Sequence, residues 1–432
     1  MTYQAWTTPT APPLAPQVLH DHITAWRMAV FGAAILVILV FSQAWVFPLL
    51  GDAGNPAMDV VVRNLYFPAY GLVLFLAALT PLSVTLAAIR QPFLITLMLI
   101  VGLSITWSIA PDMTMRRVIA IYATTLGGIV LGARYRWAEL AEVLGTAFAI
   151  LGVIAFIVPL AVPSIGVMHE LFPGAWRGVW PEKNAMGGIM ALSFAILSGA
   201  AMLNPQRAKI WWGFAALSVV LILMSTSKTS LVSVMLGFGV LIFVTLVRRS
   251  PAVGVATVWL AVLGVGAVAF VAIFASDLVF KALGKDATLT GRTEVWTAAL
   301  RLIEQRPWTG YGYAAIWDDE DRWAPLAKIV KEAGWRPHHP HNTWIETWLG
   351  LGVFGLASWG FCFLQTLTLA LIAAFRNPGA YLALPFLVIY GLQSLTETVA
   401  VTYNDFRWVI FVAIAIKLVW PDREVRTPPG VI

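Results

Sequence analysis

The sequence has 432 residues, of which 59% are hydrophobic and only 12% are charged. Soluble globular proteins average roughly 45–50% apolar and about 25% charged residues, so this composition excludes an ordinary water-soluble fold and predicts an integral membrane protein. The net charge of +6 does not point to nucleic acid, because basic residues in a membrane protein first mark its cytoplasmic loops.

The chain starts with a polar tail, residues 1–27, that lacks the pattern of a signal peptide. A membrane-spanning helix needs about 20 mostly apolar residues, fewer if its flanks are polar. Such segments lie at residues 28–48, 67–88, 93–110, 118–132, 139–162, 185–203, 210–224, 230–247, 252–275, 343–374, 380–399 and 407–420. We therefore predict an all-α integral membrane fold with about twelve transmembrane helices.

The predicted helices divide the chain into regions. Helices 1–9 lie within residues 28–276, a long polar loop occupies residues 277–341, helices 10–12 lie within residues 342–420, and residues 421–432 form a second tail. With both tails in the cytoplasm, every short inside loop is basic, as the positive-inside rule requires. The inside residues are Arg27, Arg90, Arg134, Arg136, Arg207, Lys209, Arg248, Arg249, Arg376, Arg423 and Arg426. The loop 277–341 then faces the other side of the membrane.

The apolar segment at residues 343–375 is too long for one straight span, and it contains Gly350, Gly352 and Gly355. Glycine costs roughly 1 kcal/mol in a helix relative to alanine. We expect a short helix up to about Leu349, then a bend and the true span. A tilted helix with small residues at a helix contact is the alternative.

Basic residues on the predicted outer side are informative, because the topology rule does not require them there. Arg116 and Arg117 stand in a short turn, either as substrate-binding cations or as snorkelling arginines. Arg177 and Lys183 precede a helix predicted to begin near Asn184 as its N-cap. A cation at this positive helix end predicts a bound anion; an interfacial anchor is the alternative.

Two further outer segments carry cations. Lys228 lies in a polar break at residues 225–230, which suits either a polyanion or an ordinary hairpin. Arg292 opens a predicted amphipathic helix, which ends before Pro307, and arginine can donate two parallel hydrogen bonds to a phosphate. The glycine-rich turn that follows contains Tyr311, whose ring could stack on a sugar.

A histidine-rich stretch closes the loop. Asn342 is a predicted N-cap, which fixes His341 just ahead of a helix at the membrane surface, and histidine is the usual general base at neutral pH. Glu346 could orient His341 or a substrate hydroxyl. Together with His341, His338 and His339 could form a metal site. No cysteine or nearby aspartate completes the set of ligands, however, so we predict no metal.

These motifs, in this order, resemble the signature of the O-antigen ligase and polysaccharide polymerase (Wzy-type) superfamily. The matching residues are Trp107-Ser108…Pro111…Arg116, Arg177-Gly178…Lys183-Asn184, Gly291-Arg292…Trp296, Pro307…Gly310-Tyr311-Gly312 and His341-Asn342…Gly352…Gly355-Leu356. The resemblance spans roughly residues 100–360. Within the superfamily, the segments Lys183-Asn184 and Ser227-Lys228-Thr229 are most similar to exopolysaccharide polymerases.

The resemblance implies a GT-C-like glycosyltransferase of the bacterial inner membrane, with a large periplasmic loop between helices 9 and 10. Such enzymes transfer a glycan en bloc from undecaprenyl pyrophosphate to a hydroxyl on lipid A-core or on another repeat unit, without a cofactor or a metal. It assigns His341 as the base and Arg292 and Arg177 as pyrophosphate ligands. Arg116, Arg117, Lys183, Lys228, His338 and Tyr311 complete the predicted substrate-binding set.

A transporter or flippase of lipid-linked or anionic substrates is the main alternative. Such proteins often show inverted repeats and charges near the membrane midplane. No repeat is visible between the two halves, and the outer cations cluster at one face. Glu397, inside an apolar segment, is the one acidic residue that would suit a proton-coupled carrier.

Overall fold

The computed structural model describes residues 16–51, 56–170, 172–274, 292–317, 324–420 and residue 422. Much of both predicted tails, and residues 275–291 at the start of the long loop, lie outside these ranges. The described α-helices are α1 (Pro16–Phe41), α2 (Val46–Leu50), α3 (Pro56–Ala78), α4 (Pro81–Ile89), α5 (Pro92–Leu103), α6 (Pro111–Arg134), α7 (Trp137–Ala161), α8 (Pro163–Gly166), α9 (Lys183–Leu203), α10 (Ala208–Ser225), α11 (Lys228–Val247), α12 (Pro251–Phe274), α13 (Arg292–Gln305), α14 (Pro325–Ala333), α15 (Thr343–Arg376), α16 (Ala380–Thr396) and α17 (Phe406–Val419).

The predicted all-α membrane fold is confirmed. Within the described ranges, seven helices are long and apolar enough to cross a bilayer, or eight if α4 and the stretch Pro92–Trp107 form one broken span. Shorter apolar helices occur at Ala25–Phe41, Pro251–Gly264 and Ala380–Thr396. The number of about twelve spans stays a prediction.

The second predicted transmembrane segment was wrong. The prediction of one helix over residues 67–88 fails because α3 ends at Ala78 and α4 is a separate helix, bent by 95° from the stretch that follows. Pro81 and Pro92 each stand at the start of a helix. There the missing N–H is not needed and the ring presets φ, so each proline restarts the chain in a new direction.

Helix α6 begins earlier than predicted, at Pro111 rather than near residue 118. Pro111 occupies the first turn together with Asp112, whose negative charge favours the positive end of the helix. Arg116 and Arg117 therefore lie on the helix itself and not in the turn before it.

Helices α9 and α17 lie at the centre of the bundle. Of the apolar window of α9, 83% is buried, and α17 is buried along most of its length. A Cβ added to Gly128 or Gly132 of α6 would lie 2.6 and 2.4 Å from the main-chain oxygens of Val409 and Ala413 on α17. Small residues let the two backbones touch, which is how helices associate closely in lipid.

Residues predicted to face the cytoplasm gather at one end of the bundle. The Arg90 guanidinium lies 4.7 Å above the Trp420 ring, and Lys417 pairs with Asp422 at 2.5 Å. Arg207 contacts Glu142 at 3.3 Å. The predicted outer motifs meet at the opposite end, so the arrangement is consistent with the positive-inside prediction.

Helices α13 and α14 form a separate small layer at that opposite end. The predicted apolar face of α13, at Val295, Ala299, Leu302 and Ile303, is buried, which confirms the amphipathic helix. These side chains pack in a hydrophobic cluster of their own. Its buried members are Val295, Ala298, Ala299, Leu302, Ile303, Tyr311, Ile316, Trp317, Leu326, Ile329 and Leu349.

The predicted bend in the long segment is found in α15, at Gly352, whose φ of +67° lies in the left-handed region. The turn at residues 307–312 packs against this bend, and its N–H groups donate to carbonyls of α15 that the interrupted helix leaves without a helical partner. Tyr311 N–H donates to the Leu349 carbonyl at 3.0 Å, and Gly312 N–H donates to the Gly350 carbonyl at 2.9 Å. The turn between α13 and α14 is thereby fixed to a membrane helix.

Candidate active site

Three chain segments bring Arg292, His341 and Glu397 together at the end of the bundle that carries α13. Arg292 is the first residue of α13, His341 precedes α15, and Glu397 follows α16. His341 Nδ1 lies 2.8 Å from Glu397 Oε2, and Arg292 Nη2 donates to Glu397 Oε1 at 2.9 Å. Arg292 Nη1 also donates to the Thr396 carbonyl at 2.6 Å.

The backbone around His341 is built to present this side chain. Asn342 caps α15 as predicted, its Oδ1 accepting from the N–H groups of Trp344 and Ile345 at 2.9 and 3.2 Å. His341 has a φ of +51°, a conformation uncommon for a residue with a Cβ. Its N–H donates to His339 Nδ1 at 3.2 Å, which makes His339 part of the support.

Thr343 joins the segment of His341 to the segment of Glu397. Its hydroxyl donates to the Glu397 carbonyl at 3.0 Å and accepts from the Val399 and Ala400 N–H groups at 3.0 and 3.4 Å. The Thr343 side chain is fully buried. The Thr343 hydroxyl thus holds the backbone of residues 397–400, which positions the Glu397 carboxylate beside His341.

The electrostatics of the cluster favour an ionised carboxylate and a neutral His339. Burial by itself would raise the pKa of Glu397, but the hydrogen bond from His341 and the charge of Arg292 lower it to about 2. Burial lowers the pKa of His339 to about 3. The negative charge that faces His341 is therefore permanent at neutral pH.

A cavity of about 380 Å³ adjoins this cluster through His339, whose ring centre lies 4.0 Å from that of His341. This volume falls within the range of roughly 300–1,000 Å³ that small-molecule sites occupy. Its lining residues are Gln43, Arg117, Tyr313, Ala314, Trp317, His338, His339, Glu346, Thr347, Gly350, Leu351, Thr398, Ala400, Val401, Thr402, Tyr403, Asp405 and Arg407.

Glu346 is placed differently from the expectation that it could orient His341. Both of its carboxylate oxygens accept from Trp317 Nε1, at 2.9 and 2.8 Å, and it lines the cavity. Glu397, not Glu346, bonds His341 in the described part of the chain. The alternative expectation, that Glu346 binds a substrate hydroxyl, stays a prediction.

Two other predicted residues line the cavity, Arg117 and His338. Arg117 donates to the Ala314 carbonyl, and its guanidinium lies 5.7 Å from the centre of the Tyr403 ring. Arg116, one residue earlier on α6, is exposed and does not line it.

The remaining predicted binding residues lie away from the cavity lining. Tyr311 is buried in the small outer cluster, and its hydroxyl donates to the Leu302 carbonyl at 3.0 Å. Lys183 donates to Thr226 Oγ1 at 3.1 Å, and Lys228 is the first residue of α11. The helix expected to have Asn184 as its N-cap begins one residue earlier, at Lys183, so that capping prediction was wrong.

Arg177 is only 5% exposed, and backbone carbonyls surround its guanidinium. It donates to the carbonyls of Ile165, Ser164 and Pro181 at 2.8, 3.3 and 3.4 Å and stacks over the Phe47 ring. These contacts hold the loop before α9. The pyrophosphate role implied by the family resemblance stays a prediction for this residue.

Glu397 and the pair Asp405–Arg407 belong to the site but were not predicted as part of it. Glu397 was predicted only as the acid of the transporter alternative. Arg407 Nε donates to both Asp405 oxygens at 3.0 Å. A usable signal existed, because Glu397 lies near the end of one predicted apolar segment and Asp405 just before the next.

His339, His341 and Glu397 offer ligand atoms that lie within 4.8 Å of one another, close enough for a metal ion. Each of these groups already has a partner, however. His339 Nδ1 accepts from the backbone, His341 Nδ1 faces the carboxylate, and Arg292 occupies the other carboxylate oxygen. A metal cation would have to replace the guanidinium, so this donor set fits the Arg292 cation better than a metal.

Comparison with known proteins supports the family resemblance. Residues 213–360 match the family model described as O-Antigen ligase. The "Exopolysaccharide production protein ExoQ" of Rhizobium meliloti (strain 1021) is 29% identical over 210 residues, which are 46% of this chain. The match covers 45% of that relative, so the chain spans about half of its length. Together these matches confirm the resemblance to the O-antigen ligase and polysaccharide polymerase superfamily. Arg292, His341 and Glu346 lie within the family match, whereas Glu397 and Arg407 lie beyond it.

Proposed function

We propose that this multi-pass membrane protein of O-antigen ligase type is a glycosyltransferase that moves a glycan en bloc from polyprenyl pyrophosphate, undecaprenyl pyrophosphate in bacteria, to an acceptor hydroxyl. The observation that carries the proposal is the 2.8 Å contact between His341 Nδ1 and Glu397 Oε2. A carboxylate at Nδ1 favours the tautomer with the proton on that atom, which leaves the lone pair of Nε2 to act as a base.

The proposed reaction needs no covalent intermediate. His341 Nε2 accepts the proton of the acceptor hydroxyl while the hydroxyl oxygen attacks the anomeric carbon. The new glycosidic C–O bond forms as the C–O bond to the pyrophosphate breaks, and the lipid pyrophosphate leaves with the electron pair. Attack opposite the leaving group inverts the anomeric centre. Glu397 stabilises the imidazolium that forms.

Arg292 is the proposed cation for the departing pyrophosphate. Glu397 and the Thr396 carbonyl hold its guanidinium beside His341, so the orientation of the charge is set before substrate binds. Preorganised charges in a site shielded from water are usually the largest single contribution to catalysis. The remaining outer cations, Arg116, Arg117, Arg177, Lys183 and Lys228, together with His338 and Tyr311, stay in the proposal as candidate substrate-binding groups.

The proposal places the active site on the periplasmic side of the inner membrane, in line with the predicted topology. The acceptor is either lipid A-core, which makes the protein a ligase, or a second repeat unit, which makes it a polymerase. The exopolysaccharide relative favours the polymerase. The transporter alternative relied on an isolated acid in a span, whereas Glu397 follows the end of α16 and pairs with His341 and Arg292.

The test uses purified protein in proteoliposomes with a polyprenyl-pyrophosphate-linked oligosaccharide, with and without lipid A-core. A ladder of products identifies a polymerase, and a product that requires the core identifies a ligase. We expect His341→Ala to lower kcat by roughly 10²–10⁴-fold, the usual contribution of a general base. Glu397→Gln should lower it by about 10–100-fold, the value of a lost hydrogen bond to a charged group.

Glu332→Gln is the matched control. Glu332 pairs with Arg301 at 3.0 Å on the outer layer and does not line the cavity, so its removal should leave transfer intact. Full transfer by correctly inserted His341→Ala protein would overturn the proposal. Loss of activity in Glu397→Ala but not in His341→Ala would favour the transporter instead.

A further inference from the structure

The cavity beside His339 has charges that balance within its own wall. Asp405 lies against Arg407, whose Nε and Nη2 both donate to it, and Asp405 is only 3% exposed. Arg117, the other cation, shares the cavity with the carboxylate of Glu346. Two basic and two acidic residues therefore line one space, so the wall offers a diphosphate no excess of basic residues.

Glu346 retains capacity to bind a ligand. A carboxyl group has several lone-pair positions, and Glu346 receives a single indole N–H, which both oxygens share. The residue stands in the first turn of α15 and lines the cavity. Its carboxylate can thus accept from neighbouring hydroxyl groups without losing Trp317.

Aromatic side chains form much of the remaining wall. Trp317, Tyr403 and Tyr313 all line the cavity, and two of them are held in place. Trp317 donates to Glu346, and the Tyr313 hydroxyl donates to the Val401 carbonyl at 2.8 Å. Rigid aromatic surfaces beside hydrogen-bonding groups suit a flat, uncharged polyhydroxyl compound, because such sites combine apolar walls with a few placed polar groups.

We infer that this cavity is a subsite for one uncharged pyranose unit, with Glu346 accepting from two adjacent hydroxyls and Trp317 forming an apolar wall. The inference rests on the proposed function, because it gives the cavity to a sugar of one of the two glycan substrates. That sugar belongs either to the donor or to the acceptor, which share this chemistry. The pyrophosphate is bound elsewhere, on the Arg292 side of His341.

Binding is measured first, because it does not depend on transfer. Neutral oligosaccharide released from the cell's own surface polysaccharide is titrated into the protein in nanodiscs, with inorganic diphosphate as a second probe. Glu346→Gln keeps an oxygen that accepts from Trp317, so the fold is preserved while the second acceptor oxygen is replaced by an amide donor. We expect oligosaccharide binding to weaken roughly 10- to 100-fold and diphosphate binding to stay unchanged.

Transfer kinetics then assign the sugar. A rise in the donor KM of Glu346→Gln places the donor sugar in the cavity, and a rise in the acceptor KM places the acceptor there. Trp317→Phe, which keeps an aromatic wall, should show the same pattern to a smaller extent, and Glu332→Gln should match the wild type. Unchanged oligosaccharide binding in Glu346→Gln, or a tighter diphosphate complex alone, overturns the subsite. Absence of transfer by the wild type counts against the proposed function and leaves the binding result standing.

Discussion

The hydroxyl of Thr343, two residues after His341 in the sequence, donates to the main-chain carbonyl of Glu397 at 3.0 Å. His341 and Glu397 are separated by more than fifty residues in sequence, yet their side chains meet at 2.8 Å. The distance between base and carboxylate therefore depends on a hydrogen bond made by a third residue. Thr343 is a positioning residue, since it contacts the chain turn and not the substrate.

Replacement of Thr343 by valine should separate this positioning role from packing. Valine keeps the shape but leaves the Val399 N–H without its acceptor, so we expect kcat to fall about 10–100-fold at nearly constant KM. Thr343→Ser keeps the hydroxyl and should recover most of the activity. Equal kcat values for the valine and serine variants would contradict the assignment.

Protonation of His339 should destabilise the fold in mild acid. Burial lowers the pKa of His339 from 6.5 to about 3, so between these values the unfolded chain binds the extra proton and stability decreases as pH falls. The slope for one group is at most about 1.4 kcal/mol per pH unit. Glu397, with its lowered pKa of about 2, adds to this only below its ordinary value near 4.5.

The difference in thermal unfolding between the wild type and a His339 variant, measured from pH 6.5 to 4.5, isolates the histidine. His339→Asn, whose side-chain oxygen can accept from the His341 N–H, should show a smaller loss of Tm over this interval than the wild type. Above pH 7 the pH dependence of the two proteins should be the same. An identical acid slope in both proteins would show that another group carries the effect.

Gly352→Ala should unfold or inactivate the protein. A Cβ at this position would lie 2.0 Å from the Trp308 carbonyl oxygen, and alanine also resists a φ of +67°. We expect a loss of several kcal/mol, of which the backbone conformation alone supplies about 1–3 kcal/mol. Gly239→Ala, in open space on α11, is the control and should be neutral or stabilising. The measurement is the yield and Tm of folded protein in detergent.

Arg177 and Arg292 should respond differently to lysine. Arg177→Lys loses hydrogen bonds to the carbonyls of Ile165 and Ser164, so we expect a lower Tm, and the donor KM of the folded fraction tests its candidate role in binding. Arg292→Lys should lower kcat with a smaller effect on Tm, because lysine lacks the paired donors that reach Glu397 and Thr396 together. A higher donor KM without loss of Tm in Arg177→Lys would instead support its pyrophosphate role.

Removal of divalent metal should not affect transfer. Arg292 already supplies the cation next to Glu397 and His341, so EDTA in excess of any bound ion should leave kcat unchanged. The measurement compares the initial rate of the reconstituted reaction with and without chelator. Loss of activity that added Mg²⁺, Mn²⁺ or Zn²⁺ restores would assign His339, His341 and Glu397 to a metal instead.

Local patterns predicted much of the fold. The length of the apolar segments predicted the membrane helices. The spacing of Val295, Ala299 and Leu302 predicted the buried face of α13, and Asn342 predicted the start of α15. These features depend on residues a few positions apart, where helix geometry decides the outcome. The error at residues 67–88 has the same origin, because hydropathy continues through Pro81 although the helix does not.

The site was predicted only in part, because its geometry depends on contacts between distant segments. His341 and Arg292 stand in recognisable motifs, and both are in the cluster. Glu397 and Asp405 come from the loop before α17 and Arg407 from the first turn of that helix, all more than fifty residues later, and their spacing carries no local signature. Closeness in sequence does not imply contact, as Glu346 illustrates. It follows His341 by five positions, but its side chain bonds Trp317 instead.

The break in α15 also ties the small layer of α13 and α14 to the membrane bundle. If the turn at residues 307–312 moved away, the carbonyls of Leu349 and Gly350 would lose their partners at the membrane end of a helix, each at a cost of about 1–3 kcal/mol. The same turn directly follows α13, which begins with Arg292, so it anchors α13 to the helix that His341 precedes. A lid motion that carried α13 away from the membrane bundle would break both of these hydrogen bonds.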